Sequence, residues 1–338
     1  MNKVRWGLLS TARINRRLIP AIRASRRGMV AAVASRDEAR SKAYAAEWEI
    51  PQYFGSYEAM LDSGEIDAVY IGLPNHLHAE WSLRALQAGV HVLCEKPFAI
   101  TLEQVDAVIA ASRQSGKAVA EGFMYRHHPQ TKIVAEWIGN GRLGEVVMVR
   151  GVFTFKLDDP GNVRLVPEWG GGSLWDVGVY PVSFAQYVFG SPPQRVSAVQ
   201  TLAPSGVDDS FAGHMSYPDG KIAQFACSFR SPWYAYAEVL GTEGRLLLDR
   251  PFSGMDDGRK HLYYFDKEGK ATSIYVPRQE LFVGEIRDMH ASILEGKPNH
   301  IGLEETRDHV RTVLALYESA RTQAEVHLIS RTAKYLFK

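Results

Sequence analysis

Over the first 122 positions, short apolar runs alternate with amphipathic stretches. Val4 to Leu9 is the first run, and Ile14, Leu18 and Ile22 then recur at helical spacing, which gives the following segment one buried face. Val30-Ala31-Ala32-Val33-Ala34 reads as a second strand, Ala68 to Leu73 as a third and His91-Val92-Leu93 as a fourth. The helix after the third strand ends at Gly89. Thr101 and Gln104, three positions apart, make a capping box that opens a helix at Leu102. Gly116 and the run Ala118-Val119-Ala120-Glu121 close the series. Strands alternating with helices in this way predict an α/β domain over residues 1–122 with a doubly wound parallel sheet.

After Gly122 the pattern changes. A helix begins near Pro129, after a turn at His127-His128, and ends near Gly139; a long strand then runs from Gly144-Glu145-Val146 to Phe155. Trp169-Gly170-Gly171-Gly172-Ser173 precedes a segment that, if helical to Phe189, carries Asp176 and Tyr180 four apart on one face. Short strands follow one another at Arg195 to Thr201, Ser210 to Tyr217, Ile222 to Phe229, Ala237 to Leu240 and Arg245 to Leu248, a succession that predicts an open, mostly antiparallel sheet. Helices are expected from Leu281 to Leu294 and from Leu303 to Ala324. Residues 123–338 therefore read as a second, α+β domain.

Composition narrows the function classes. With 338 residues the chain has room for two cores, and its 46% hydrophobic and 23% charged shares are those of a globular protein. Lysine plus arginine (39) nearly cancels aspartate plus glutamate (38), for a net charge of +1. No long-range field or basic patch favours nucleic acid or an anionic membrane, so any anion site is built locally. Cys94 and Cys227 are the only cysteines, which excludes a disulfide framework and a four-cysteine zinc site. No apolar run approaches the roughly 20 residues needed to span a bilayer, and no signal peptide is read before the first strand; a cytoplasmic location is expected.

Candidate chemistry falls at the carboxyl ends of the predicted parallel strands, the edge at which such sheets bind ligands. After the first strand, Gly7, Ser10 and Ala12 occupy the positions of a dinucleotide fingerprint in which only Gly7 is a glycine. The stretch Ser10-Thr11-Ala12-Arg13-Ile14 still offers small side chains, two hydroxyls and a helix N-terminus to a pyrophosphate. The second strand runs into Ser35-Arg36-Asp37, with Arg40 one turn beyond Arg36. Two guanidinium groups and a hydroxyl suit a ribose 2'-phosphate, so NADP(H) is expected over NAD(H). The third strand closes with Leu73-Pro74-Asn75 and His78, further candidates for cofactor contact. His76 and His78 lack a carboxylate or cysteine cluster to complete a metal site, and no metal is expected. The fourth strand delivers Cys94-Glu95-Lys96-Pro97-Phe98, an amine beside a carboxylate on a backbone stiffened by proline.

Glu95-Lys96-Pro97, Pro74-Asn75 with His78, and Gly170-Gly171-Gly172 leading to Asp176 and Tyr180 together resemble the glucose-fructose oxidoreductase and inositol dehydrogenase (Gfo/Idh/MocA) family over nearly the whole chain. Phe189-Gly190 and the Asp208-Asp209 pair are similar to the branch that holds dimeric dihydrodiol dehydrogenase and NADP-dependent xylose dehydrogenase. The resemblance implies a Rossmann domain, an open-faced mixed sheet that packs against that of a partner in a homodimer, and hydride transfer at nicotinamide C4. It implies that Lys96 and Tyr180 are the catalytic pair, with a sugar hydroxyl between them. A free phenol ionises near pH 10, so Lys96 would supply the cation that favours phenolate. Glu95 would hold the loop or the nicotinamide ribose, and Asp176 would bind substrate hydroxyls. Asp176 and Tyr180 also read, respectively, as a helix cap and a core aromatic. The inositol dehydrogenase branch has histidine where Tyr180 stands, which disfavours inositol. Arg126, Asn162, Arg164, Trp169 and Trp233 are candidates to line a sugar pocket.

Four readings follow. The leading one is an NADP-dependent dehydrogenase oxidising C1 of an aldopyranose such as xylose or glucose to the lactone. The others are a keto-sugar or anhydro-sugar reductase or C3 dehydrogenase, a redox-neutral glycosidase or epimerase that retains NAD, and a non-catalytic sensor.

Overall fold

The apolar runs of the first half form strands that are buried on both faces, which is why they read as unbroken hydrophobic segments and not as alternating ones. Trp6, Leu8 and Leu9 of β1 (Val4–Leu9) and Val69, Tyr70 and Ile71 of β4 (Ala68–Ile71) are wholly enclosed. In chain order the first unit contains β1, α1 (Asn15–Arg23), β2 (Gly28–Ala34), α2 (Glu38–Glu47), β3 (Gln52–Phe54), α3 (Tyr57–Asp62), β4, α4 (His78–Gln87), β5 (His91–Glu95), α5 (Leu102–Ser115) and β6 (Val119–Gly122). The computed structural model describes residues 3–253 and 259–328. Its six-stranded sheet has the order β3-β2-β1-β4-β5-β6, every pair parallel. The expected doubly wound sheet is present, in the Rossmann order with its switch point between β1 and β4.

Local signals set the element ends. The Thr101 hydroxyl accepts the Gln104 amide at 3.3 Å, while Gln104 Oε1 accepts the Ile100 amide at 3.0 Å, so the box closes one residue earlier than the usual pattern. Strand β3 and helix α3 escape the hydrophobic pattern because β3 is a three-residue edge strand with Gln52 and Tyr53 exposed, and α3 has only six residues. The first compact unit comprises residues 1–124 and 282–307 and the second 125–281 and 308–338. Residues 282–307, read from sequence with the second domain, thus fall in the first. They bring α8 (Val283–Glu295), where His290 Nε2 accepts the Trp6 indole N–H at 3.0 Å and Nδ1 lies 3.1 Å from the Ser25 hydroxyl. Accepting at Nε2 fixes the proton on Nδ1. Burial and the nearby Arg27 charge push the His290 pKa down to about 4.

The second unit is built on nine strands. It contains α6 (Pro129–Gly139), β7 (Val146–Thr154), α7 (Val179–Phe189), β8 (Arg195–Leu202), β9 (Asp208–Ser216), β10 (Ile222–Ser228), β11 (Tyr234–Gly241), β12 (Gly244–Asp249), β13 (His261–Asp266) and β14 (Ala271–Ile274). Helix α9 (Leu303–Thr322) and β15 (Val326–His327) follow. The sheet order is β14-β13-β12-β11-β7-β10-β9-β8-β15. The pair β7–β10 is parallel and the others antiparallel, a mixed sheet of mostly antiparallel strands as expected. Strands β13 to β15 lie towards the two edges; β14 and β15 are short and little buried, and they leave no apolar run to read. Helix α7 lies close on β7, where a side chain at Gly151 would meet Pro181 at 2.7 Å. On the opposite face Glu238 pairs with Arg150 at 3.6 Å and Arg245 at 2.7 Å, and the Arg245 guanidinium stacks on Phe265. That alternation of packed and polar positions is what a sheet covered on one side shows. Among the described residues, no helix is long and apolar enough to cross a membrane.

Candidate functional site

The carboxyl edge of the six-stranded sheet gathers the candidates of the first unit. Where β1 ends, Ser10 adopts φ +93°, a region that favours glycine and costs other residues roughly 1–3 kcal/mol. Local bonds hold it there. Its hydroxyl donates to Gly72 O at 3.3 Å and accepts the Ala12 amide at 3.2 Å, and the Asn15 side chain donates to Ser10 O at 2.8 Å. Ser10 thereby gives the turn the shape that the missing glycine would give, and Thr11, Ala12, Arg13 and Ile14 lead into α1 from it. Gly72, whose carbonyl anchors the loop from β4, was not among the sequence candidates.

At the end of β2, Ser35 Oγ accepts the Asp37 amide at 3.3 Å, and Asp37 caps α2 by accepting the Arg40 amide at 3.2 Å. The acidic side chain at this strand end is therefore engaged with backbone. Arg36 hydrogen-bonds the Tyr57 hydroxyl, and Arg40 acts on the same phenol. Burial raises the Tyr57 pKa, and the two guanidinium groups pull it back. Sequence reasoning brought Arg36 and Arg40 together but missed Tyr57, which sits in α3, the helix it did not read.

The ends of β4 and β5 are tied to each other. His78, at the start of α4, places Nδ1 2.7 Å from Pro97 O and Nε2 2.7 Å from Leu73 O. Burial pushes its pKa down to about 4 against the pull of both carbonyls. His78 is enclosed, and it braces these two loops against each other. Pro74 and Asn75 open the short turn between Leu73 and α4. The Lys96–Pro97 peptide is cis. Glu95 Oε1 accepts the Tyr70 hydroxyl at 2.5 Å and Oε2 accepts the Lys96 amide at 3.3 Å, so Glu95 holds the loop, the first of its two expected roles. Glu121, buried on β6, accepts the Phe98 amide at 3.1 Å from the other side. Lys96 thus stands on a backbone fixed from β4, α4 and β6. Tyr70 and Glu121 lie inside apolar strands, where no local pattern distinguishes them from core.

In the second unit three candidates meet. Arg164 Nε lies 2.6 Å from Asp176 Oδ2, and Asn162 Oδ1 lies 3.4 Å from Arg164 Nη1 and accepts the Arg164 amide at 3.1 Å. Asp176 is not a helix cap. Residues Leu174–Gly178 form a π-helical turn, and α7 proper starts at Val179. The continuous α-helix expected from sequence is therefore broken between Asp176 and Tyr180, and the two do not share one α-helical face. Tyr180 is buried with its ring against Tyr125, Phe153 and Phe252, centroids 5.9, 5.6 and 5.8 Å away. Arg126, expected in a sugar pocket, is 1% exposed with its guanidinium 3.7 Å from the Tyr187 ring centroid. Trp169 and Trp233 are 39% and 45% exposed, and the Arg250 guanidinium lies 5.6 Å from the Trp233 ring centroid. Among the described residues, no cluster of three or more His, Cys, Asp or Glu side chains is arranged to hold a metal ion.

The model of the oxidoreductase family with an NAD-binding Rossmann fold matches residues 4–123, and that of the GFO/IDH/MocA C-terminal domain matches residues 131–247. The chain belongs to the GFO/IDH/MocA family. Its first unit is an NAD(P)-binding Rossmann domain and its activity class is that of an oxidoreductase. Within the family it is 38% identical to D-xylose 1-dehydrogenase (NADP(+)) 2 of Haloferax volcanii, over 96% of this chain and 99% of that one. The 3-ketoreductase of Actinomadura kijaniata, solved with NADP and TDP-benzene, is 30% identical with a TM-score of 0.88, covering 94% of this chain and 98% of that one. The aldose-aldose oxidoreductase of Caulobacter crescentus, solved with glycerol, is 26% identical with a TM-score of 0.89, covering 97% and 100%.

Proposed function

We propose that the protein is an NADP(H)-dependent sugar oxidoreductase, and that its reaction is oxidation of an aldopyranose at C1 to the lactone. The observation that carries the cofactor choice is the end of β2. Arg36 and Arg40 both act on the Tyr57 hydroxyl, while Asp37, the acid that would take a ribose 2'-hydroxyl, is engaged as a helix cap. The donor set fits a dinucleotide with a third phosphate: the Ser10 turn and the start of α1 for the pyrophosphate, Ser35, Arg36 and Arg40 for the 2'-phosphate, and the Asn75 and Glu95-Lys96 loops for the nicotinamide end. When bound, the nicotinamide supplies the site that gains or gives the hydride at C4. The chain's own residues handle the proton and the orientation. Lys96 and Tyr180 are the acid–base pair of this reading, Tyr180 taking the hydroxyl proton as the carbon is oxidised. Arg164 and Asn162 hold Asp176, which binds substrate hydroxyls.

The xylose dehydrogenase relative supports the sugar, the NADP cofactor and the direction. A second reading, reduction of a keto-sugar, is favoured by the 3-ketoreductase. That enzyme has been solved with one lysine and one tyrosine replaced, and those two residues are separated by the same number of positions as Lys96 and Tyr180. Absorbance of reduced nicotinamide, followed with NADP or NAD and a panel of pentoses, hexoses and inositols, tests the proposal. NADP reduction with an aldose is the expected result. NADPH oxidation by keto-sugars with every aldose silent would transfer the assignment to the reductase, and a preference for NAD would overturn the cofactor choice. Val147, Val199, Ile222 and Tyr234, exposed on strands of the nine-stranded sheet, support a homodimer, which measurement of the molar mass by light scattering checks.

A further inference from the structure

Beneath the triglycine stretch lies a carboxylate for which the site described above has no use. Asp208, the first residue of β9, is 2% exposed. Its Oδ2 accepts the Ser173 hydroxyl and the Leu174 amide, each at 2.7 Å, and its Oδ1 accepts the Tyr317 hydroxyl at 2.7 Å. A buried acid is retained where donors converge on it, and these donors are specific to one place: Ser173 and Leu174 are the residues at which the π-turn Leu174–Gly178 begins. The glycines explain how the chain reaches the carboxylate. Gly172 has φ +121°, and a Cβ there would run into Asp208 Oδ1. Gly171 passes so close to the segment that carries Arg164 that a Cβ would lie 2.6 Å from Arg164 O, and the Gly172 amide donates to that carbonyl at 2.9 Å. One turn on, Gly178 is pressed on β10, where a Cβ would lie 2.8 Å from Cys227 Sγ. The wide turn that carries Asp176 and hands the chain on to Tyr180 is therefore anchored at its first residues by Asp208 and at its last by a glycine on the sheet. Turns of this kind recur at functional sites and are not favoured by backbone geometry alone.

We propose that Asp208 is the positioning residue for the substrate-facing segment 174–180, with Tyr317 fixing the carboxylate from α9. It touches neither Asp176 nor Tyr180 through any of the bonds described; it acts by fixing the N-terminal register of the turn that bears them. The effect on turnover rests on the reading of Asp176 and Tyr180 as substrate-facing, whereas the effect on the turn does not.

Two variants and two readouts test the proposal. In Asp208→Asn, hydrogen–deuterium exchange of the amides at 174–180 should accelerate by about tenfold or more, with residues 182–189 and the first unit unchanged. The sugar kcat should fall by about tenfold to a hundredfold while the KM for NADP stays constant. Tyr317→Phe should show the same pattern, smaller, and it serves if Asp208→Asn does not fold. Unchanged exchange at 174–180 in the variants would overturn the proposal. So would equal acceleration throughout the nine-stranded sheet, which would make Asp208 a fold residue only. If the wild-type protein turns over no sugar, the functional reading fails, and the exchange result still decides the role of Asp208.

Discussion

The two sets of site residues are held in different ways. On the edge of the six-stranded sheet, the loops that follow adjacent strands are fixed by one another: Tyr70 reaches Glu95 across 25 positions, His78 reaches Pro97 across 19 and Ser10 reaches Gly72 across 62. In the second unit, the turn bearing Asp176 is fixed by Asp208, itself held by Tyr317 109 positions further on. A parallel sheet places successive strand ends side by side, so a binding edge can be assembled from short motifs. A turn of unusual geometry has no such support of its own and must borrow it from distant chain. The first arrangement suits a ligand shared by many enzymes, the dinucleotide; the second leaves the turn proposed to face substrate open to change with little cost to the first.

That division is broken or sharpened by four measurements. The largest effects are expected for Lys96→Met and Tyr180→Phe, each lowering kcat by about 10² to 10⁴ with the NADP dissociation constant unchanged. Loss of cofactor binding in Tyr180→Phe would break the division. Next is Arg36→Ala, which should weaken NADP by about tenfold to a hundredfold while leaving NAD and the sugar KM alone; fluorescence titration with both cofactors checks it. Arg164→Ala removes the partner of a largely buried Asp176 and should raise the sugar KM about tenfold with no change for NADP, a pattern visible in steady-state kinetics at fixed cofactor. Smallest and confined to the first unit is a pH effect at His290. Its folded pKa of about 4 lies below the usual 6.5, so its contribution to stability is complete above pH 6.5. Below that the unfolded chain takes up the proton first, and stability falls progressively as the pH drops towards 4. Thermal melts should show a shallower acid decline for His290→Gln than for the wild type.

Much of the first unit was legible because its signals are local: buried strands read as apolar runs, and Thr101 and Gly116 mark the ends of α5 by their capping chemistry. The short edge strand β3 and helix α3 were not, and Tyr57 was lost with them. In the second unit the triglycine stretch and Asp176 were visible as a motif, but the π-turn was not, because the carboxylate that receives its first residues lies on another strand. The surroundings of Arg126 were not legible either. A charged residue reads as surface or site, whereas here its flat guanidinium is laid on the Tyr187 ring and enclosed. The two carbonyl partners of His78 tie the loops after β4 and β5 together, a connection that periodicity cannot convey.

Helix α8 has a bearing on how the protein is made. β1 leaves the ribosome long before α8 does: the imidazole that receives the Trp6 indole N–H is 284 positions further along. Synthesis proceeds from the amino end, and domains fold as units while it does so. The nucleotide-binding domain therefore has one side of β1 and α1 uncovered until β7 to β14 have been translated. A nascent chain arrested after Leu281 should remain open to protease around β1 and α1, and should become resistant there once α8 has been added.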